Sequence, residues 1–79
     1  MTLRTSIVQA RTFAKVTDSP VKKKAFLDYA RAMRRLTEPS DPRTLIWCPC
    51  KAPAYFQDLN KSLAPGPAKN LVKKMLTKL

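Results

Sequence analysis

The 79 residues carry 16 Lys and Arg against 5 Asp and Glu, with no His, 7 Pro, 1 Gly and 2 Cys, so the chain has length for one small domain and a formal net charge of +11 at pH 7. That inventory excludes a His-based catalytic set, a glycine-rich phosphate loop and a zinc site closed by this chain alone, and no apolar run approaches the roughly 18–20 residues of a bilayer-spanning helix. Below about 80 residues a single core supplies at most about 3–5 kcal/mol, so the expectation is a mainly α protein of short amphipathic helices separated by Pro-rich extended segments, with little independent core and ordered by its partners.

Residues 1–17, MTLRTSIVQARTFAKVT, contain no acid and place Leu3, Ile7, Ala10 and Ala14 at helical spacing, with Arg4, Arg11 and Lys15 repeating that spacing one position later. A helix here has an apolar stripe beside a basic one. Hydroxyl-bearing, acid-free and Arg-bearing, the segment has the composition of a mitochondrial targeting sequence. The expected location is therefore the mitochondrial matrix. An ordinary amphipathic first helix shares this spacing, and a retained segment serves both as address and as docking helix.

Residues 18–37 read as a basic amphipathic helix. Asp18-Ser19-Pro20 starts it: either polar side chain caps free N–H groups, and proline fits the first turn, where its missing donor costs nothing. From about Pro20 to Leu36 the spacing puts Ala25, Phe26, Tyr29, Ala30, Met33 and Leu36 in one arc and Lys23, Lys24, Arg31, Arg34 and Arg35 in the other. Asp28 stands four residues from Lys24, and an exposed pair at that spacing contributes only a few tenths of a kcal/mol. The basic arc stays largely unneutralised.

Residues 38–53 form a Pro-rich extended strap. Pro39 and Pro42 bias Glu38 and Asp41 away from helix, Thr44-Leu45-Ile46-Trp47 has the composition of a short strand, and Pro49 and Pro53 confine such a strand to an edge. Cys48 and Cys50 flank Pro49. Plain thiols are the ordinary reading of that pair; the others are a redox pair and two ligands of a metal site shared with a partner. A disulfide between them is disfavoured, because a C-x-C ring around a central proline is expected to be strained.

Residues 54–79 give two short helices broken at Pro65-Gly66-Pro67. The first, starting at Pro53, carries Tyr55, Phe56, Leu59 and Leu63 on one side; the second, from Pro67 to Leu79, carries Leu71, Val72, Met75, Leu76 and Leu79, with Lys69, Lys73, Lys74 and Lys78 around them. Asp58 reads as a cap-side or solvent carboxylate. Charge is partitioned along the chain: residues 1–37 hold +7, residues 38–60 hold −1 and residues 61–79 hold +5.

Two basic arms flanking a neutral middle point to polyanion binding, for which phosphate neutralisation supplies sequence-independent affinity. The expected phosphate contacts are Lys22, Lys23, Lys24, Arg31, Arg34, Arg35, Lys69, Lys73, Lys74 and Lys78. Phe26, Tyr29, Met33, Trp47, Tyr55, Phe56, Leu71 and Met75 are expected to pack on partners. No RNA-reading motif accompanies the charge, so contact would be with backbone and shape. No catalytic role and no cofactor is expected. The class that fits is a structural protein of a mitochondrial ribosome, bound to rRNA and neighbouring subunits; the alternative is an accessory subunit of a respiratory complex or ATP synthase. Leu27-Asp28-Tyr29-Ala30-Arg31 resembles the Leu-Tyr-Arg signature of small mitochondrial assembly proteins in interrupted form only, and none of that family's residues carries over.

Overall fold

The computed structural model describes residues 3–37 and 45–79. Among them are four helices, α1 (Leu3–Val16), α2 (Pro20–Met33), α3 (Ala52–Ser62) and α4 (Pro67–Leu76), and no strand; a 3-10 turn, Pro49–Lys51, leads into α3. The mainly helical class is as expected. Ser19 caps α2, its side chain accepting from the Lys22 N–H, and Pro20 opens the helix. Thr17 Oγ1 accepts from the Ser19 N–H at 3.3 Å and tightens the short link from α1. Phe13 meets Phe26 near that link, while Ser6 meets Tyr29 farther from it, so α1 and α2 run antiparallel.

Two helices stop short of their expected ends. Beyond Met33 the chain continues as a turn, with the Leu36 N–H donating to the Met33 carbonyl at 2.9 Å, and Leu36 is exposed instead of joining the buried arc. Beyond Leu76 the Leu79 N–H donates to the Leu76 carbonyl at 3.2 Å. Tighter i to i+3 bonds at a helix end satisfy carbonyls that lack an intrahelical partner.

Phe56 of α3 is the centre of the core. It is fully buried, and the rings of Tyr55, Tyr29, Phe13 and Phe26 lie 4.9, 5.4, 5.8 and 6.0 Å from it, edge-on or tilted. That geometry sets positive ring edges against negative faces, and each fully buried Phe contributes about 1.5–3 kcal/mol by area alone. Ile7, Ala10, Met33, Ala52, Leu59, Val72 and Met75 join the cluster with Ala14, Ala25 and Ala30, so all four helices share it.

This corrects the expected role of six residues. Phe26, Tyr29, Met33, Tyr55, Phe56 and Met75, expected to pack on partners, are buried inside the chain's own core, and the expectation of little core of its own fails with them. The reason is α1. Its buried face is wider than the four-residue stripe, taking in Ser6, Gln9, Thr12 and Phe13, and Phe13 touches the rings of Phe26, Tyr55 and Phe56.

The strap also differs from a strand. Thr44 lies outside the described residues, as do Pro39 and Pro42, and residues 45–48 have no regular structure. The Gln9 side-chain amide takes the place of a neighbouring strand: its Nε2 donates to the Ile46 carbonyl at 2.6 Å, and its Oε1 accepts from the Ile46 N–H at 2.8 Å.

Candidate anion-binding surface

Because Ala25, Phe26, Tyr29, Ala30 and Met33 turn α2 inward, its charges must turn outward. Lys22, Lys23, Lys24 and Arg31, and Arg34 and Arg35 in the turn that follows, are all exposed. On α4, Lys73 and Lys74 are exposed, as is Lys78 just beyond it; Lys69 is half-buried, with Nζ 3.5 Å from the Leu63 carbonyl. Both α1 and α4 pack on α2, which divides its surroundings into two grooves.

In the α1–α2 groove Arg11, Arg31 and Arg34 surround Leu27 and Ala30 in a depression of about 330 Å³. Residues 27, 30, 31 and 34 share one side of α2 by the three- and four-residue spacing of a helix. Side chains on a helix lean toward its N-terminus, which carries Arg31 and Arg34 back along α2 toward the level of Leu27, and α1 presents Arg11 opposite. Among the described residues no acid lines this groove. Each guanidinium is permanently charged and offers a planar fork of donors suited to phosphate or carboxylate oxygens. Arg11 was not among the expected contacts. Its signal in the sequence is the row Arg4, Arg11, Lys15, which the composition of a targeting segment equally explains.

The α2–α4 groove differs in its charge balance. Asp28 lines it with Lys74 and Lys78 over Ala25, Tyr29, Ala32, Leu71 and Met75, in a depression of about 240 Å³. Asp28, placed beside Lys24 by sequence spacing, thus offsets lysines of another helix. Tyr29 beneath it shares a hydrogen bond of 2.8 Å with Ser6 Oγ, and burial pushes its hydroxyl up to about 12, with the Ser6 bond pulling the other way and Tyr55 adding to the rise. Burial raises Tyr55 as well. Both phenols are therefore protonated at neutral pH and serve there as hydrogen-bonding groups.

Trp47 and Leu71 are the two expected partner-packing residues outside the buried cluster: Trp47 is 59% exposed, and Leu71 is half-buried and packed against the core. Cys48 and Cys50 are joined in a disulfide, contrary to the expectation of free thiols or of a metal site shared with a partner. The Lys51 N–H donates to the Cys48 carbonyl at 3.1 Å, and the resulting turn holds the two Cα atoms 5.4 Å apart, inside the usual disulfide range. Pro49 starts that turn and so favours the ring it was expected to hinder. Among the described residues no group of three or more His, Cys, Asp or Glu gathers to hold a metal ion, and no helix is long and apolar enough to cross a membrane. Comparison of the chain with known protein families, with characterised proteins and with solved structures finds no match.

Proposed function

We propose that this chain is a non-catalytic structural component of a mitochondrial ribosome, binding rRNA phosphates with its exposed basic surface and neighbouring proteins with its remaining apolar surface. The observation that carries the reading is the meeting of Arg11 from α1 with Arg31 of α2 and Arg34 of the turn after it in one groove that no acid lines among the described residues. Three guanidiniums held by a folded core are positioned before a phosphodiester arrives, so less ordering entropy opposes binding. The lysines of α2 and α4 extend the same field over a body measuring 31 × 28 × 21 Å. The acid-free, basic outer row of α1 supports the mitochondrial part of the proposal, since Arg4, Arg11 and Lys15 remain exposed while the opposite face is buried.

The test is binding of single-stranded RNA to the full chain, followed by fluorescence anisotropy at stepped salt concentrations. Each phosphate contact gives a slope of about −0.7 in log affinity against log salt, so replacing Arg11, Arg31 and Arg34 together by Gln should flatten the plot by roughly 2. Gln keeps helix propensity close to that of Arg, and an unchanged circular dichroism spectrum assigns the loss to charge. The second reading, an accessory subunit of a respiratory complex or ATP synthase, is favoured by the exposure of Val21, Leu27, Leu36 and Trp47, which suit protein packing. If the wild-type chain shows no salt-dependent RNA binding, and co-purifies with membrane-complex subunits with or without these arginines, that second reading replaces the first.

A further inference from the structure

The Cys48–Cys50 disulfide does no work for the fold. Both cysteines and the intervening Pro49 are exposed, none of the three belongs to the core cluster, and the bridge spans a sequence separation of 2. A cross-link stabilises chiefly by closing a long loop of the unfolded chain, and this one closes almost none. The turn it accompanies is already held by the Lys51 N–H to Cys48 carbonyl bond and runs directly into α3.

We infer that Cys48 and Cys50 form a thiol–disulfide exchange site, whose substrate class is a thiol: glutathione or an accessible dithiol of another protein. Exchange requires a thiolate to reach a disulfide sulfur, and here the bonded residues are open to solvent. An incoming thiolate attacks one Sγ and forms a mixed disulfide. The Sγ–Sγ bond breaks, and its electron pair leaves on the other sulfur, which takes up a proton or remains a thiolate. A second external thiolate then attacks the substrate sulfur of the mixed disulfide, releasing an oxidised disulfide and leaving both cysteines reduced. Two external thiols are thereby oxidised while one disulfide is reduced. With a substrate dithiol both attacks come from the same molecule, which departs as an internal disulfide.

The one-residue spacing also sets what happens if no second thiol arrives. The freed cysteine sits within reach of the mixed disulfide at high effective concentration. It returns to the same sulfur, expels the substrate thiol and restores the ring, so the pair exchanges without trapping its substrate. In a glutathione-buffered compartment such an exposed bridge is in continual turnover, unlike the permanent disulfides of secreted domains. The inference stands independently of the RNA reading, because no residue of the arginine groove takes part.

The experiment uses the full-length chain in buffers of reduced and oxidised glutathione at graded ratios, with free thiols alkylated and counted by mass spectrometry and circular dichroism recorded in parallel. Expected is a reversible change between no free thiol and two, with the helical and aromatic signals unchanged; dithiothreitol as a dithiol probe should reduce the pair with no mixed disulfide accumulating. In oxidised glutathione, Cys48→Ser should hold roughly tenfold or more mixed disulfide relative to wild type, because the resolving thiol is gone; Cys50→Ser should do the same and serves if the first variant folds poorly. The inference is overturned if reduction occurs only as the helices melt, if oxidised glutathione cannot close the bridge from two free thiols, or if the wild type accumulates as much mixed disulfide as the single-cysteine variants.

Discussion

Tyr29 and Tyr55 bring the same phenol into the same core, yet their hydroxyls end differently. Tyr29 meets Ser6 Oγ at 2.8 Å, whereas the Tyr55 hydroxyl is buried with no hydrogen-bond partner among the described residues. A satisfied buried hydrogen bond is worth about 1 kcal/mol, and an unsatisfied polar atom carries a desolvation cost of about 1–3 kcal/mol. Tyr29→Phe should therefore lower stability by about 1 kcal/mol, while Tyr55→Phe should leave it unchanged or raise it by about 1 kcal/mol. Urea denaturation of the two variants checks the contrast, and equal losses would show that the Ser6 bond contributes nothing particular. The same comparison marks a limit of sequence reading. Both positions were legible as apolar-arc residues, but which hydroxyl finds a partner depends on Ser6, and nothing in a run of hydroxyl residues near the N-terminus identifies the one that faces Tyr29.

At the scale of elements, the Pro65-Gly66-Pro67 break ends one helix and begins another, and Gly66 caps α4 with extended backbone, φ 163° and ψ −173°. A β-carbon added there meets nothing within 4 Å. Gly66→Ala should be tolerated and, by restricting the unfolded chain, should stabilise by up to about 1 kcal/mol; a clear fall in the denaturation midpoint would contradict this. The helices themselves were readable in advance because proline punctuates them: Pro20, Pro53 and Pro67 each lie in a first turn. What periodicity missed was long-range. Phe13 sits beside the apolar stripe of α1 but becomes a core ring because three helices converge on it, and Gln9 is polar by composition yet buried because Ile46 needs both of its backbone bonds met. Arg11 belongs to the same class of omission, since only the packing of α1 on α2 sets it opposite Arg31 and Arg34.

For the whole molecule, a core to which α1, α2 and α3 bring aromatic rings and α4 brings Val72 and Met75 means that no helix can leave without opening the core of the others. The isolated chain should unfold in one cooperative transition of low stability, within the roughly 3–5 kcal/mol available to a core of this size. Raising pH should drive the same transition. Tyr29 ionises in the fold at about 12 against an ordinary value of 10.0, so its contribution is fully present below pH 10 and is lost as pH rises from 10 through about 12, where the unfolded chain binds fewer protons than the folded one. Tyr55, raised in the same direction, adds to that loss. Tyrosinate absorbance and circular dichroism should then change together; phenols ionising well before helix loss would show that the core admits hydroxide without opening.

The central place of Phe56 also dictates an order of events. Its partners Phe13, Phe26 and Tyr29 all precede it in the chain, so a polypeptide emerging N-terminus first exposes the α1–α2 hairpin before the ring that covers it has been made. At about 5–20 residues per second, that interval lasts roughly 1–5 s. During those seconds three aromatic side chains lack the ring that later covers them, and the hairpin's charge and its uncovered apolar face are presented to the surroundings together.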